Sequence, residues 1–241
     1  MSSGNSPILL LFDIDGTLVR TNGRAGRLMI RATEELTGHK IPYDIHNFIG
    51  RTDRMIIRQF LRQNQTPESG MDELIEKILD RYLKYAGPEM KKPGSVRVIP
   101  GVKNLLRKLI TRDEFRLGLL TGNLKRGAQA KLGPVGLDAY FPVGAFGDDS
   151  EERNRLPKFA LQRARRHYGI AFRESQSWII GDSPRDIECA ASNGLHCLAV
   201  ATGRISRDEL ASYHPDVVLE NLEATETVTQ YFLANGGGNG R

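Results

Sequence analysis

Four carboxylates stand at the ends of apolar runs in this chain. Asp13 and Asp15 close ILLLFDIDGT, while Asp182 and Asp186 follow SWII in SWIIGDSPRD. A third run, FRLGLL, ends in Thr121, Gly122 and Asn123. An apolar run stopped by Asp and Gly reads as a strand covered on both faces. A carboxylate at the mouth of such a strand needs a partner, because desolvating it costs several kcal/mol. Asp13 and Asp15 are two apart, so on an extended chain both side chains point to one face. If the three strand ends are neighbours, three or four carboxylates share one crevice. A divalent cation relieves their repulsion, and an all-oxygen ligand set favours Mg²⁺. Thr121 adds a hydroxyl, and the amides near Gly122 are placed to face an anion at the start of a helix.

This donor set suits phosphoryl transfer. One carboxylate attacks phosphorus to give an aspartyl phosphate; a second protonates the leaving oxygen and later activates water. Mg²⁺ offsets the repulsion between an anionic nucleophile and an anionic phosphate. Asp13 follows the strand directly and is held by rigid backbone, so it is the expected nucleophile, with Asp15 as general acid/base.

The elements that must position these residues follow from hydrophobic periodicity. Residues 23–92 show helical patterns and no convincing strand. A first helix ends at Gly38, a second starts at a Thr52 or Asp53 cap, and a third runs from MDELIEKILD to Gly87 and Pro88. Short apolar strands then alternate with helices: strands near Leu120, Val143, Ile180 and HCLAV, a possible edge strand at DVVLEN, and helices at 124–132, 156–168, 184–193 and 206–213. Such alternation predicts right-handed βαβ units in a doubly wound parallel sheet. In such α/β sheets ligands bind beyond the carboxyl ends of the strands.

Composition narrows the classes. The 241 residues, 39% hydrophobic and 26% charged, allow one large domain or a core with an insert. The net charge of +5 reads as solvated surface, so a nucleic-acid partner is not expected. Cys189 and Cys197 lack metal-ligand spacing and suggest a reducing compartment, so a cytoplasmic protein is expected. The first apolar run is too short for a signal peptide or a membrane span. The five histidines read as structural or surface residues, and Trp178 as core.

DIDGT, a strand ending in TGN, and GDSPRD resemble, in this order, the first, second and fourth motifs of the haloacid dehalogenase-like hydrolases. The resemblance implies a Rossmann-like core, residues 1–20 and 96–241, with an all-helical cap, residues 21–95, inserted after the first strand. A tail at 234–241 is expected to be disordered. The resemblance further implies that Asp13, the Asp15 backbone carbonyl and Asp182 hold Mg²⁺, supported by Asp186, and that Thr121, with Gly122 and Asn123, binds the transferring phosphoryl group. The helical cap and the stretch FIGRTD look most like the phosphoglycolate phosphatase branch, with a small phosphorylated metabolite as substrate. A monomer or a homodimer fits equally.

The rivals are a phosphosugar mutase, which uses the same Asp pair under a water-excluding cap, and a non-catalytic binding or regulatory protein on this fold. Asp15 argues against a dehalogenase, which lacks the second Asp, and no cap lysine is singled out as in a phosphonatase. Arg51 in FIGRTD is the candidate for the non-transferred end of the substrate, with Arg24 weaker. The sequence departs from the family at the third motif, normally a lysine just before a helix carrying proline in its first turn. Here Lys158 follows Pro157 in EERNRLPKFALQRA. With Leu156, Phe159, Ala160 and Ala164 on the apolar face, Lys158 should face solvent. Arg153 and Arg155 precede the helix, and Arg153 is the favoured replacement.

Overall fold

The run ILLLF forms a strand, β1 (Ile8–Phe12), with every residue buried, in a computed structural model that describes residues 7–236. Its alternate side chains enter two separate cores: Ile8, Leu10 and Phe12 pack in one, and Leu9 and Leu11 in the other. That division explains an unbroken apolar run with no polar face.

Two short strands, β2 (Val19–Arg20) and β3 (Arg97–Val98), pair antiparallel where the chain leaves and re-enters the core. Three helices lie between them: α1 (Arg24–Thr37), α2 (Asp53–Gln63) and α3 (Met71–Met90). They share a core of their own, built on Met29, Ile57, Phe60, Ile75 and Leu79. Gly38 ends α1 in the left-handed conformation, and the Thr52 hydroxyl caps α2 by accepting from the Met55 amide at 3.3 Å. The expected stop of the third helix at Gly87 and Pro88 is corrected, because α3 continues to Met90. Proline there removes one hydrogen bond in the last turn, and burial of Ala86 and Met90 holds the helix together.

The remaining chain alternates as the pattern requires. α4 (Val102–Ile110), β4 (Phe115–Leu120), α5 (Lys125–Leu132), β5 (Val143–Ala145), α6 (Leu156–Tyr168), β6 (Ser177–Gly181), α7 (Pro184–Ala191), β7 (His196–Val200), α8 (Arg207–Ala211), β8 (Val217–Leu219) and α9 (Thr225–Gly236) follow in order. The six long-sheet strands run parallel in the order β5-β4-β1-β6-β7-β8. Helices α4, α5 and α9 cover one face, and α6, α7 and α8 the other. The fold is a doubly wound Rossmann-like α/β sheet. Part of the expected disordered tail is corrected: residues 234–236 complete α9, where Asn235 Nδ2 donates back to the Tyr231 carbonyl at 3.0 Å. Residues 237–241 lie outside the described residues. Among the described residues no helix is long and apolar enough to cross a membrane.

Candidate active site at the carboxyl edge of the sheet

β1 lies between β4 and β6, so the three chemically pointed strand ends are neighbours. They open into a cavity of about 370 Å³ whose wall includes Asp13, Asp15, Thr121, Asn123, Arg153 and Asp182 from the sheet, with Arg51, Asp53 and Tyr82 from the helical insert.

Asp13 extends the β1 ladder, its amide donating to the Ile180 carbonyl at 2.9 Å, and the residue is 5% exposed. Burial pushes its carboxyl up to about 6, against the pull of Arg153 and with the push of Asp186 and Asp15. Arg153 stands in a tight turn before α6, with Nη2 3.1 Å from Asp13 Oδ1 and 2.5 Å from Asp186 Oδ1. Burial opposes its charge, yet Asp186 and Asp13 hold its pKa above the ordinary guanidinium range. Neighbouring glutamates do not compete for it. Glu151 pairs with Arg58 at 2.7 Å, and Glu152 with Arg155 at 2.8 Å. Lys158 is exposed on the far side of α6, while Leu156, Ala160 and Ala164 are buried.

Asp13, Asp182 and Asp186 each offer a carboxylate oxygen within 4.8 Å of the others. Burial, together with Asp13 and Asp186, drives the Asp182 carboxyl well above its ordinary value, with only Thr17 opposing by donating its hydroxyl at 3.3 Å. Gly16, at φ +86°, packs so close that a Cβ there would fall 2.1 Å from Asp182 Oδ2. Burial and mutual repulsion both disfavour charge on Asp13 and Asp182, which is what a hard divalent cation relieves, and the all-oxygen donors fit Mg²⁺. Asp186 has the least freedom to ligate. Its Oδ2 accepts from the Ser183 amide at 3.1 Å and hydroxyl at 2.6 Å in a capping box, and its Oδ1 takes Arg153.

Asp15 turns to a different set of partners from Asp13. Its Oδ2 accepts from Asn123 Nδ2 at 2.8 Å and from Lys131 Nζ at 2.5 Å. Asn123 Nδ2 also reaches Thr121 Oγ1 at 2.8 Å, and Asn123 Oδ1 accepts from Lys131 at 2.5 Å. The expected anion-facing amides at the start of α5 are in part already taken. The Leu124 amide donates to Asp53 Oδ2 at 2.9 Å and the Lys125 amide to Asp148 Oδ2 at 2.5 Å.

Asp53, the first residue of α2, also donates its own amide to the Gly122 carbonyl at 2.8 Å. The helical block therefore rests directly on the TGN turn. Gly122 permits that approach: a Cβ would lie 2.1 Å from the Arg51 carbonyl. Thr52 adds a hydroxyl bond to the Glu151 carbonyl at 2.7 Å. Arg51 lines the cavity, and burial and neighbouring Arg185 hold its guanidinium below the usual range. Arg24 instead pairs with Glu89 at 3.6 Å and is not part of the cavity wall.

The family model for haloacid dehalogenase-like hydrolases matches residues 10–200, which takes in both the sheet and the helical insert. The chain belongs to that family. Among its relatives is a phosphoglycolate phosphatase of Pseudomonas syringae pv. tomato, 27% identical over 223 residues, covering 91% of this chain and 79% of that protein. One from Synechococcus elongatus is 26% identical over 223 residues, covering 92% and 97%. Similar solved structures include a predicted phosphoglycolate phosphatase from Haemophilus somnus, with TM-score 0.69 and 19% identity over 95% of this chain and all of that one. A β-phosphoglucomutase from Clostridium difficile aligns with TM-score 0.72 and 15% identity over 95% and 98%. At these identities the structures establish the shared fold alone.

Three residues of this haloacid dehalogenase-like site escaped the sequence reading. Lys131 carried a signal: it falls on the buried stripe of α5 with Leu124, Ala128 and Leu132. Asp53 carried none, because an acid in a first turn is ordinary helix chemistry. Tyr82 lies among apolar residues of α3, all of which read as packing.

Proposed function

We propose that this protein is a Mg²⁺-dependent phosphatase that hydrolyses a small phosphate monoester through an aspartyl phosphate on Asp13. Family membership and phosphatase relatives support phosphoric monoester hydrolysis. One observation carries the finer reading: Asp13 sits at the end of the central strand, with Arg153 on one oxygen and the Asp182 carboxylate beside it.

Backbone at the end of β1 fixes the Asp13 carboxylate at the floor of the cavity, where it attacks phosphorus. As the ester P–O bond breaks, Asp15 gives its proton to the leaving oxygen and becomes a carboxylate. It then takes a proton from water as that water attacks the phosphoenzyme, releasing inorganic phosphate and restoring Asp13. Thr121 binds a phosphoryl oxygen, and Gly122 lets the helical block close over it. The expected phosphate role of Asn123 is corrected, because its side-chain amide is taken up by Asp15, Thr121 and Lys131. Arg153, through the single nitrogen Nη2 that it shares between Asp13 and Asp186, favours the ionised form of Asp13 and orients it. Asp13, the Asp15 carbonyl and Asp182 would hold Mg²⁺, with Asp186 in support, and the ion would neutralise charge on the transferring group. Arg51 reaches the end of the ester that is not transferred.

The test is release of inorganic phosphate from p-nitrophenyl phosphate and from a panel of phosphorylated metabolites, with and without Mg²⁺. Turnover of the panel with Mg²⁺ and none of the Asp13→Asn variant is the expected result. A mutase would isomerise a hexose phosphate without releasing phosphate. A regulatory protein would do neither, and either outcome overturns the proposal.

A further inference from the structure

We propose that Lys131 is a positioning residue for proton transfer: it pins one oxygen of Asp15 so that the other is presented to the leaving group. The inference deepens the phosphatase reading and rests on Asp15 as proton donor.

A lysine in the last turn of α5 has an ordinary use, since a cation favours the negative end of the helix dipole. That use leaves the ammonium in water beside free carbonyls. Lys131 is instead 3% exposed, with Nζ aimed back into the cavity. Burying an ammonium costs several kcal/mol unless it is paired and its protons are bonded. Here Asp15 Oδ2 and Asn123 Oδ1 each accept from it at 2.5 Å. The buried Asp53 carboxylate adds attraction from the cap side.

The arrangement leaves Asp15 little choice of orientation. Asn123 donates to the same Oδ2 at 2.8 Å, and Asn123 is itself fixed at both ends of its amide by Lys131 and Thr121. Among the described residues no hydrogen bond falls on Asp15 Oδ1. A carboxyl with two bonds to one oxygen has its plane set, and the second oxygen is the one available to carry the transferred proton. Proton delivery depends on heavy-atom distances near 3 Å, so an unpinned carboxyl delivers badly even when intact.

This geometry predicts a dependence on the leaving group. p-Nitrophenolate departs as a stable anion and gains little from protonation, whereas an alkoxide must be protonated as it leaves. Lys131→Met, which keeps length and burial, should therefore lose at least roughly tenfold more turnover on an alkyl phosphate such as glycerol phosphate than on p-nitrophenyl phosphate, within the roughly 10²–10⁴ that general acid catalysis supplies. In an Asp15→Asn background the same substitution should cost nothing further on the alkyl ester, because the group it positions is gone. Lys131→Arg, which retains a cationic donor, should recover part of the alkyl-ester turnover. If Lys131→Met does not melt cooperatively, Lys131→Gln is judged by the same ratio. Equal losses on both esters, or a further loss in the Asp15→Asn background, would make Lys131 a structural residue and overturn the inference. Wild-type turnover of the two esters separately tests the phosphatase reading itself.

Discussion

Arg153 Nη2 lies 3.1 Å from Asp13 Oδ1, deep in the site, while the lysine one turn away in α6 points to solvent. The helical phase of LPKFALQRA explains both placements. Leu156, Ala160 and Ala164 must face the sheet, so Lys158 cannot. Arg153→Ala should reduce turnover by at least about a hundredfold, a size typical of losing one stabilising charge. It should also cost several kcal/mol of stability, because Asp13 and Asp186 are left buried without a cation. Lys158→Ala should fall within ordinary surface scatter. Rates and melting of the two variants check this, and a crippled Lys158→Ala beside a mild Arg153→Ala would refute it.

Much of this site was legible because it sits where backbone periodicity changes. Asp13, Thr121 and Asp182 each end an apolar run, and strand order alone makes them neighbours. Arg153 was legible from the phase of the following helix. Lys131 was marked only by its place on the buried stripe of α5, and Asp53 was not legible at all, since its meaning depends on how α2 meets the TGN turn. Pairing between a cap residue and a core residue 71 positions later leaves no periodic trace. The continuation of α3 past Pro88 was hidden for the same reason: tertiary burial of Met90 outweighs a local breaker.

Metal should matter to stability as well as to rate. Asp13, Asp182 and Asp186 repel one another without a cation, and binding to the folded state alone stabilises by mass action. Mg²⁺ at about a hundred times its dissociation constant should add about 2–3 kcal/mol to wild type. Asp182→Ala should lose most of that gain along with activity. Chemical denaturation with EDTA and with excess Mg²⁺ measures it; no Mg²⁺ response in wild type, or an undiminished one in Asp182→Ala, counts against the assignment.

Arg51 should read the substrate. Its guanidinium is partly buried beside another cation, Arg185, which leaves it well disposed to an incoming anion. Remote contacts contribute to the rate on substrates that make them. Arg51→Ala should therefore lose kcat/KM on a carboxylate-bearing phosphate ester by about tenfold or more, while changing little on p-nitrophenyl phosphate. Equal losses on both would mean that Arg51 does not discriminate.

Asp53 gives the pH dependence of the docked cap. Burial pushes its carboxyl up to about 6 from an ordinary value of 3.8, with Lys131 and the Leu124 amide only partly opposing. The folded state therefore holds a proton that the unfolded chain has released between these two values. Stability from this group is full below about pH 4, declines as pH rises, and is lost by about pH 6. Asp53→Asn keeps a carbonyl for the Leu124 amide and carries no charge, so it should escape that decline. Relative to wild type, it should be near neutral at about pH 4 and more stable by about 2–3 kcal/mol at about pH 7. Urea unfolding of both proteins across this range, in EDTA, isolates the difference from the Asp13, Asp182 and Asp186 carboxylates. A gap that stays constant with pH, or one that favours wild type as pH rises, would show that Asp53 is ionised against Lys131 throughout.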